Sequence, residues 1–238
     1  MEREVAPLIR TWKARTLERG GRCYRVFEDG DAVLVCGGIG AEAARRATEA
    51  VIQEFAPVRV ISVGFAGALN EALKVGDVVE PASVVNAQDG SRTQLGQGQG
   101  TLVTVATVAS PEEKAKLRRA YQASLVDMEA AAVAIAAQAR GVEFGALKAI
   151  SDDATFGMPA TQRFITNDGQ FQEIRFAMHV VVRPWLWKAA IALARNSAKA
   201  SRALSTAILS YLDRATLSAE LNQNKVGSEF TGRPLETH

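Results

Sequence analysis

The chain has 238 residues, of which 47% are hydrophobic and 23% are charged, so it can bury a core and does not have a disordered protein's composition. Its 28 Lys and Arg residues are balanced by 26 Asp and Glu residues, which gives no reason to expect nucleic-acid binding. Two histidines exclude a zinc site built on several of them, and two cysteines do not form a disulfide framework. No signal peptide is evident at the amino end, so we expect a soluble, cytoplasmic protein with reduced thiols.

Strand-like and helix-like segments alternate over the first 150 residues. Short apolar runs predict strands over 31–36, 58–63, 75–79, 100–105, 124–126 and 144–150. Helical spacing predicts helices over 41–55, from 111 with Ser110 as the N-cap, and over 128–139. This alternation predicts an α/β domain with a central mixed β-sheet flanked by helices, in which ligands bind beyond the carboxyl ends of the strands.

The last third of the chain has a different pattern. A polar stretch follows Pro159, and a long helical run is expected from about Gln172 to about Asp213, broken at Pro184. We therefore expect one domain over 1–213 and a polar, flexible tail over 214–238. Charged residues and a proline interrupt the most apolar stretch, so it does not predict a membrane-spanning helix.

Asp127 and Glu129 precede a segment that is apolar on all sides and is therefore expected to be a buried helix. One interpretation is structural: Asp127 caps the helix, and Glu129 is an acid in its first turn. The other is functional, because a carboxylate at the mouth of a buried helix needs a partner to offset its desolvation, and the hydroxyl groups of a ligand supply one. The sequence leaves both interpretations open.

A second acidic pair, Asp152 and Asp153, follows Ser151 at the end of the predicted strand 144–150. Such acids are often turn formers, but this edge of an α/β sheet is also where ligands bind. Adjacent carboxyl groups suit general acid catalysis near neutral pH.

Two glycine-rich turns complete the candidate site. The turn 64–67 lets the backbone approach a ligand closely, and the turn 37–40, which precedes a helix, can hold an anion on its N–H groups through Gly38 and Gly40. The spacing does not match the dinucleotide-binding fingerprint.

Taken in order, these segments resemble the nucleoside phosphorylase and nucleosidase superfamily, and in particular its 5'-methylthioadenosine/S-adenosylhomocysteine nucleosidase branch. The resemblance covers 1–152 and is carried by the motifs MEREV (1–5), GIG (38–40), GFAG (64–67), LKVGD (73–77), VDME (126–129) and AISD (149–152). It implies a nucleoside phosphorylase-like fold, a homodimer, and a reaction that needs no cofactor or metal.

The implied reaction is cleavage by water of the N-glycosidic bond of an adenine nucleoside, through an oxocarbenium-like state, with release of adenine. In this reaction Asp152 donates a proton to N7 of the purine, and Ser151 helps to hold it. Glu129 binds the ribose hydroxyls and stabilises the positively charged sugar, and Met128 lies against the ribose. Glu4 positions or activates the attacking water.

The resemblance also implies that Phe65, Ala66 and Gly67 line the sugar and nucleophile site. Position 65 is a departure, because the nucleosidases have a small hydroxyl residue there. The family also has a β-strand ahead of the segment that matches 1–5, which is a second departure and, with Phe65, motivates a non-catalytic alternative.

Two alternatives remain at this stage. Segments 110–129 and 159–208 are similar to the hopanoid-associated phosphorylases, which implies a phosphorylase that uses inorganic phosphate and acts on adenosylhopane. The other alternative is a non-catalytic relative that binds nucleosides. A basic, apolar C-terminal helix fits peripheral membrane contact with a lipid-bearing substrate, but we favour a helix that packs on the sheet or on a second subunit.

Overall fold

The structure is a computed structural model, and it describes residues 1–157, Gln172 and 184–230. A short 3-10 helix over Glu2–Glu4 opens the chain. The strands are β1 (Lys13–Arg19), β2 (Arg22–Asp29), β3 (Ala32–Val35), β4 (Arg59–Ala68), β5 (Val78–Val79), β6 (Ser83–Asn86), β7 (Arg92–Gln94), β8 (Thr101–Thr104), β9 (Leu125–Asp127) and β10 (Glu143–Asp152). The helices are α1 (Ala6–Ile9), α2 (Ala41–Phe55), α3 (Pro111–Tyr121), α4 (Ala130–Gln138) and α5 (Pro184–Phe230).

Seven strands form the central sheet in the order β5-β10-β4-β9-β8-β6-β7. Strand β4 pairs in parallel with β10 on one side, and its last two residues pair antiparallel with the start of β9 on the other. Strands β9, β8 and β6 pair in parallel, and β7 is an antiparallel edge. The sheet is therefore mixed, and the predicted α/β class is confirmed.

The first three strands form a separate antiparallel sheet, β1-β2-β3. Sequence analysis predicted β3 but missed β1 and β2, in which few side chains are buried. The turn between them contains Gly20 and Gly21, whose φ angles of 59° and 70° lie in the left-handed region that a tight hairpin turn requires. Strand β7 lies between the predicted strands 75–79 and 100–105, in a segment for which sequence analysis predicted no strand.

Helices cover the central sheet. Helix α4 is buried on nearly all sides, as its apolar sequence predicts. Helix α5 packs Ala200, Leu204 and Ile208 into one cluster with Leu147 and Ala149 of β10. It begins at Pro184 and continues to Phe230, past the end that sequence analysis expected near 213.

A cleft of about 560 Å³ separates the two sheets. One side of the cleft is β3, whose other edge pairs with β2, and the opposite side is the first part of β4, whose other edge pairs with β10. Among the described residues, neither β3 nor this part of β4 has a partner along the edge that faces the cleft. Helix α2 lines one face of the cleft and α5 lines the other. A space between two open strand edges, with a helix on each face, is the environment that a central strand occupies in a layered α/β protein.

Two predictions fall outside the described residues. They are the polar stretch that follows Pro159 and the part of the helical run between Gln172 and Pro184. Across 1–157 and 184–230, no helix is long and apolar enough to cross a membrane.

Candidate functional site

The centre of the candidate site is a buried ion pair between β10 and β9, which lie on either side of β4. Lys148 lies within the apolar strand β10, its side chain is 1% exposed, and its Nζ is 2.9 Å from Oδ2 of Asp127, which is fully buried. The same ammonium donates to the Ser62 hydroxyl of β4 at 2.9 Å. A buried charge is tolerated only with such partners, so this pair fixes the end of β9 against β10 across β4.

Asp127 also organises the start of α4. Its Oδ2 accepts a hydrogen bond from the backbone N–H of Ala130 at 2.9 Å, and its Oδ1 accepts from the Thr104 hydroxyl at 2.6 Å. Asp127 therefore satisfies a free N–H group in the first turn of α4, as a capping side chain would, although the N-cap position itself is Glu129.

The side chain of Glu129, unlike its backbone carbonyl, does not bond to α4. Its Oε1 accepts a hydrogen bond from the backbone N–H of Gly40 at 2.7 Å, which joins the turn before α2 to the start of α4. Burial and the nearby carboxylate of Asp127 raise the pKa of Glu129 to about 7, against the opposing effect of Lys148. Glu129 therefore changes charge near neutral pH.

Glu4 reaches the same cluster from the opening 3-10 helix. A Cβ on Gly64 would lie 3.5 Å from Oε2 of Glu4 and 3.9 Å from Nζ of Lys148. Both side chains therefore lie close to the backbone of β4 at Gly64, which has no side chain of its own. The amino group of Met1 contacts the same Glu4 carboxylate. Burial alone lowers the pKa of Lys148, but the carboxylates of Asp127, Glu129 and Glu4 outweigh it and raise that pKa above its ordinary value.

Asp152, at the end of β10, lies in a second group of polar contacts. Its Oδ1 accepts from the Ser151 hydroxyl at 2.7 Å, and its Oδ2 forms an ion pair with Lys114 of α3. A Cβ on Gly67 would lie only 2.8 Å from this Oδ2, so the close approach requires glycine.

Strand β4 links the two groups. Gly64 faces Glu4 and Lys148, whereas Gly67 faces Asp152 and pairs with Val126, next to Asp127. Three residues of a strand span about 10 Å. Acidic side chains thus lie at both ends of a short stretch of β4.

The ten predicted site residues divide into two sets. Those that line the cleft are Glu4, Gly38, Phe65 and Glu129. Those that lie outside its lining are Gly40, Ala66, Gly67, Met128, Ser151 and Asp152.

Neighbouring residues on β4 point to opposite faces of the sheet. Phe65 packs against the cluster under α5, whereas Ala66 is buried in the cluster under α4. The carbonyl of Ala66 accepts from the Ser151 hydroxyl at 3.4 Å, so its backbone, rather than its side chain, faces the Asp152 group.

Sequence reasoning did not include among the site residues two buried, ion-paired lysines, Lys148 and Lys114. Lys148 had a detectable signal, because a lysine inside the apolar strand 144–150 requires a buried partner. Lys114 lies on a charged helix, where sequence alone does not distinguish it from its exposed neighbours.

This fold and this arrangement define an α/β protein with carboxylates at the ends of strands in a mixed sheet. The chain belongs to the phosphorylase superfamily, whose family model matches residues 1–107 and 97–182. The predicted family and its nucleoside phosphorylase-like fold are thereby confirmed.

Among curated proteins, the chain is similar to two 5'-methylthioadenosine/S-adenosylhomocysteine nucleosidases. That of Bacillus pumilus is 29% identical over 192 residues, which are 65% of this chain and 83% of the relative. That of Staphylococcus aureus is 26% identical over 162 residues, which are 53% of this chain and 71% of the relative.

Solved structures share the fold. Futalosine hydrolase of Helicobacter pylori superimposes with a TM-score of 0.67 at 20% identity, over 90% of this chain and 94% of the other. The 5'-methylthioadenosine/S-adenosylhomocysteine nucleosidase of Neisseria meningitidis, in complex with methylthio-immucillin-A, gives a TM-score of 0.63 at 24% identity, over 86% and 92%.

Proposed function

We propose that the chain hydrolyses the N-glycosidic bond of a nucleoside, and that the substrate is an adenine nucleoside such as 5'-methylthioadenosine or S-adenosylhomocysteine. The arrangement along β4 carries this proposal. Glu4 and Glu129 lie towards Gly64, and Asp152 lies beside Gly67, so acids flank a stretch on which a nucleoside can lie with its sugar at one end and its base at the other.

The two ends suit the two halves of the reaction. Breaking the bond leaves positive charge on the sugar, and the carboxylate of Glu129 stabilises that charge when it is ionised. Glu4 accepts a proton from the attacking water, while Asp152, in its protonated form, supplies a proton to the departing base and is left as the carboxylate that pairs with Lys114. The relatives from Bacillus pumilus and Staphylococcus aureus are both 5'-methylthioadenosine/S-adenosylhomocysteine nucleosidases, which supports the same reaction.

The test is release of adenine from 5'-methylthioadenosine, with and without inorganic phosphate, and with identification of the sugar product. Free methylthioribose without phosphate is the expected product. A sugar 1-phosphate formed only with phosphate would instead identify a phosphorylase, and binding without either product would identify a non-catalytic relative.

Variants assign the roles. Asp152→Asn should lower kcat by about 100-fold or more, because an amide does not supply the proton. Asp29→Asn is the control, because it replaces an exposed acid at the end of β2, outside the candidate site, and it should retain activity. Glu129→Gln should reduce both the affinity for the nucleoside and the rate of its cleavage. Unchanged kinetics would indicate that Glu129 serves only as an acid at the start of α4.

A further inference from the structure

Lys114 is the one fully buried residue of helix α3. Its side chain is 4% exposed, and it forms an ion pair with Asp152. Its Nζ also donates to the carbonyl oxygens of Asp153 at 2.7 Å and Phe156 at 3.3 Å. Helix α3 is thus joined through one ammonium group to both Asp152 and the loop that follows β10.

All three N–H groups of this ammonium have acceptors within the protein, so none is left to donate to a substrate. We propose that Lys114 is a positioning residue, which holds the Asp152 carboxyl group and the loop 153–156 in place for protonation of the leaving base. The inference rests on the proposed function, because it assigns Lys114 to the leaving-group half of that reaction.

The surroundings hold the lysine and Asp152 in one geometry. A Cβ on Gly67 would lie 2.8 Å from Oδ2 of Asp152 and 3.3 Å from Cε of Lys114, so the backbone of β4 closes one side. A Cβ on Gly157 would lie 2.8 Å from the ring of Pro111, so the loop also packs tightly against the first turn of α3. Ser151 holds the other carboxylate oxygen, which leaves little freedom for Asp152 to rotate.

This role makes a specific prediction about leaving groups. A purine departs readily only when it is protonated, whereas 4-nitrophenolate departs without a proton. Loss of Lys114 should therefore slow cleavage of the nucleoside but not of a 4-nitrophenyl riboside. A purely structural role would slow both reactions together.

The experiment compares Lys114→Met, Lys114→Arg and the wild-type protein on 5'-methylthioadenosine and on 4-nitrophenyl riboside. For Lys114→Met we expect kcat on the nucleoside to fall by about 10-fold or more, with KM nearly unchanged, and the riboside rate to stay within about 3-fold. Lys114→Arg, which keeps the charge, should recover part of the loss. Lys116→Met, on the exposed side of the same helix, is the control and should match wild type.

A double-variant cycle adds a second test. Once Asp152 is replaced by Asn, Lys114→Met should have no further effect on kcat, because the two residues act through one proton transfer. Additive losses in the cycle, or equal losses on both substrates, would overturn the inference. A wild-type protein that cleaves neither substrate would overturn the proposed function, and the inference would fall with it.

Discussion

The ion pair of Lys148 and Asp127 should be the most sensitive point of the fold. Lys148→Met keeps an unbranched apolar side chain of similar length but removes the ammonium group. Asp127 then keeps only its bonds to Thr104 and Ala130, and the nearby carboxylate of Glu129 loses its cation. Removing one partner of a buried pair costs about 3–5 kcal/mol, because the other charge stays buried without compensation.

For a domain of this size, that loss lowers Tm by roughly 6–20 °C. The loss should also depend on pH. Without the ammonium, the remaining carboxyl groups hold protons more tightly in the folded state, so the variant gains relative stability as the pH falls. The difference in free energy of unfolding should therefore be largest near pH 8 and smaller near pH 5.

Denaturant unfolding at both pH values measures this directly. Lys148→Arg keeps the charge and should lose less, while Lys116→Met removes an exposed lysine and should change stability by less than about 0.5 kcal/mol. A loss for Lys148→Met below about 1 kcal/mol that is the same at both pH values would refute the buried pair as the basis of this site.

Two further predictions concern activity. Because the pKa of Glu129 is about 7 and its proposed role needs the ionised form, kcat/KM should rise as the pH increases from about 6 to about 8, and a flat profile of initial rates would argue against that role. The same raised pKa means that Glu129 lowers folding stability as the pH rises from 4.5 to about 7. Gly67→Ala places a Cβ 2.8 Å from the Asp152 carboxylate, so it should reduce kcat by about 10-fold or more without unfolding the protein, whereas activity like that of wild type would show that Asp152 tolerates displacement.

Local signals in the sequence were sufficient for much of the fold. Ser110 caps α3 as its position before Pro111 predicts, with its hydroxyl accepting from the Glu113 N–H at 3.3 Å. The apolar run that became α4 is buried as expected, and the ends of β9 and β10 carry the predicted acids. Each of these features depends on a few consecutive residues.

Contacts between distant segments were beyond the reach of local patterns. The N–H of Gly40 was expected to hold an anion, and the anion in this structure is the side chain of Glu129, 89 residues away. The ion pair of Lys114 and Asp152 likewise joins residues 38 apart. The hairpin of β1 and β2 was missed for another reason: its side chains are mostly exposed, so its only clear signal is the pair Gly20 and Gly21.

The cleft between β3 and β4 offers a final test that joins stability to activity. An apolar strand of about six residues, engineered ahead of Met1, has a length of roughly 20 Å and could pair with both open strand edges between α2 and α5. If the added strand increases the free energy of unfolding by about 2 kcal/mol, Tm should rise by roughly 4–8 °C, as measured by thermal unfolding.

The same extension would convert the amino group of Met1, which contacts Glu4, into a neutral amide. Glu4 would then be free to bind water, so the rate of nucleoside cleavage should rise together with Tm. An extension of equal length made of Gly and Ser is the control, because it neutralises Met1 without filling the cleft. If both extensions raise the rate equally and neither raises Tm, the cleft does not accept a strand, and the effect belongs to the charge at Glu4 alone.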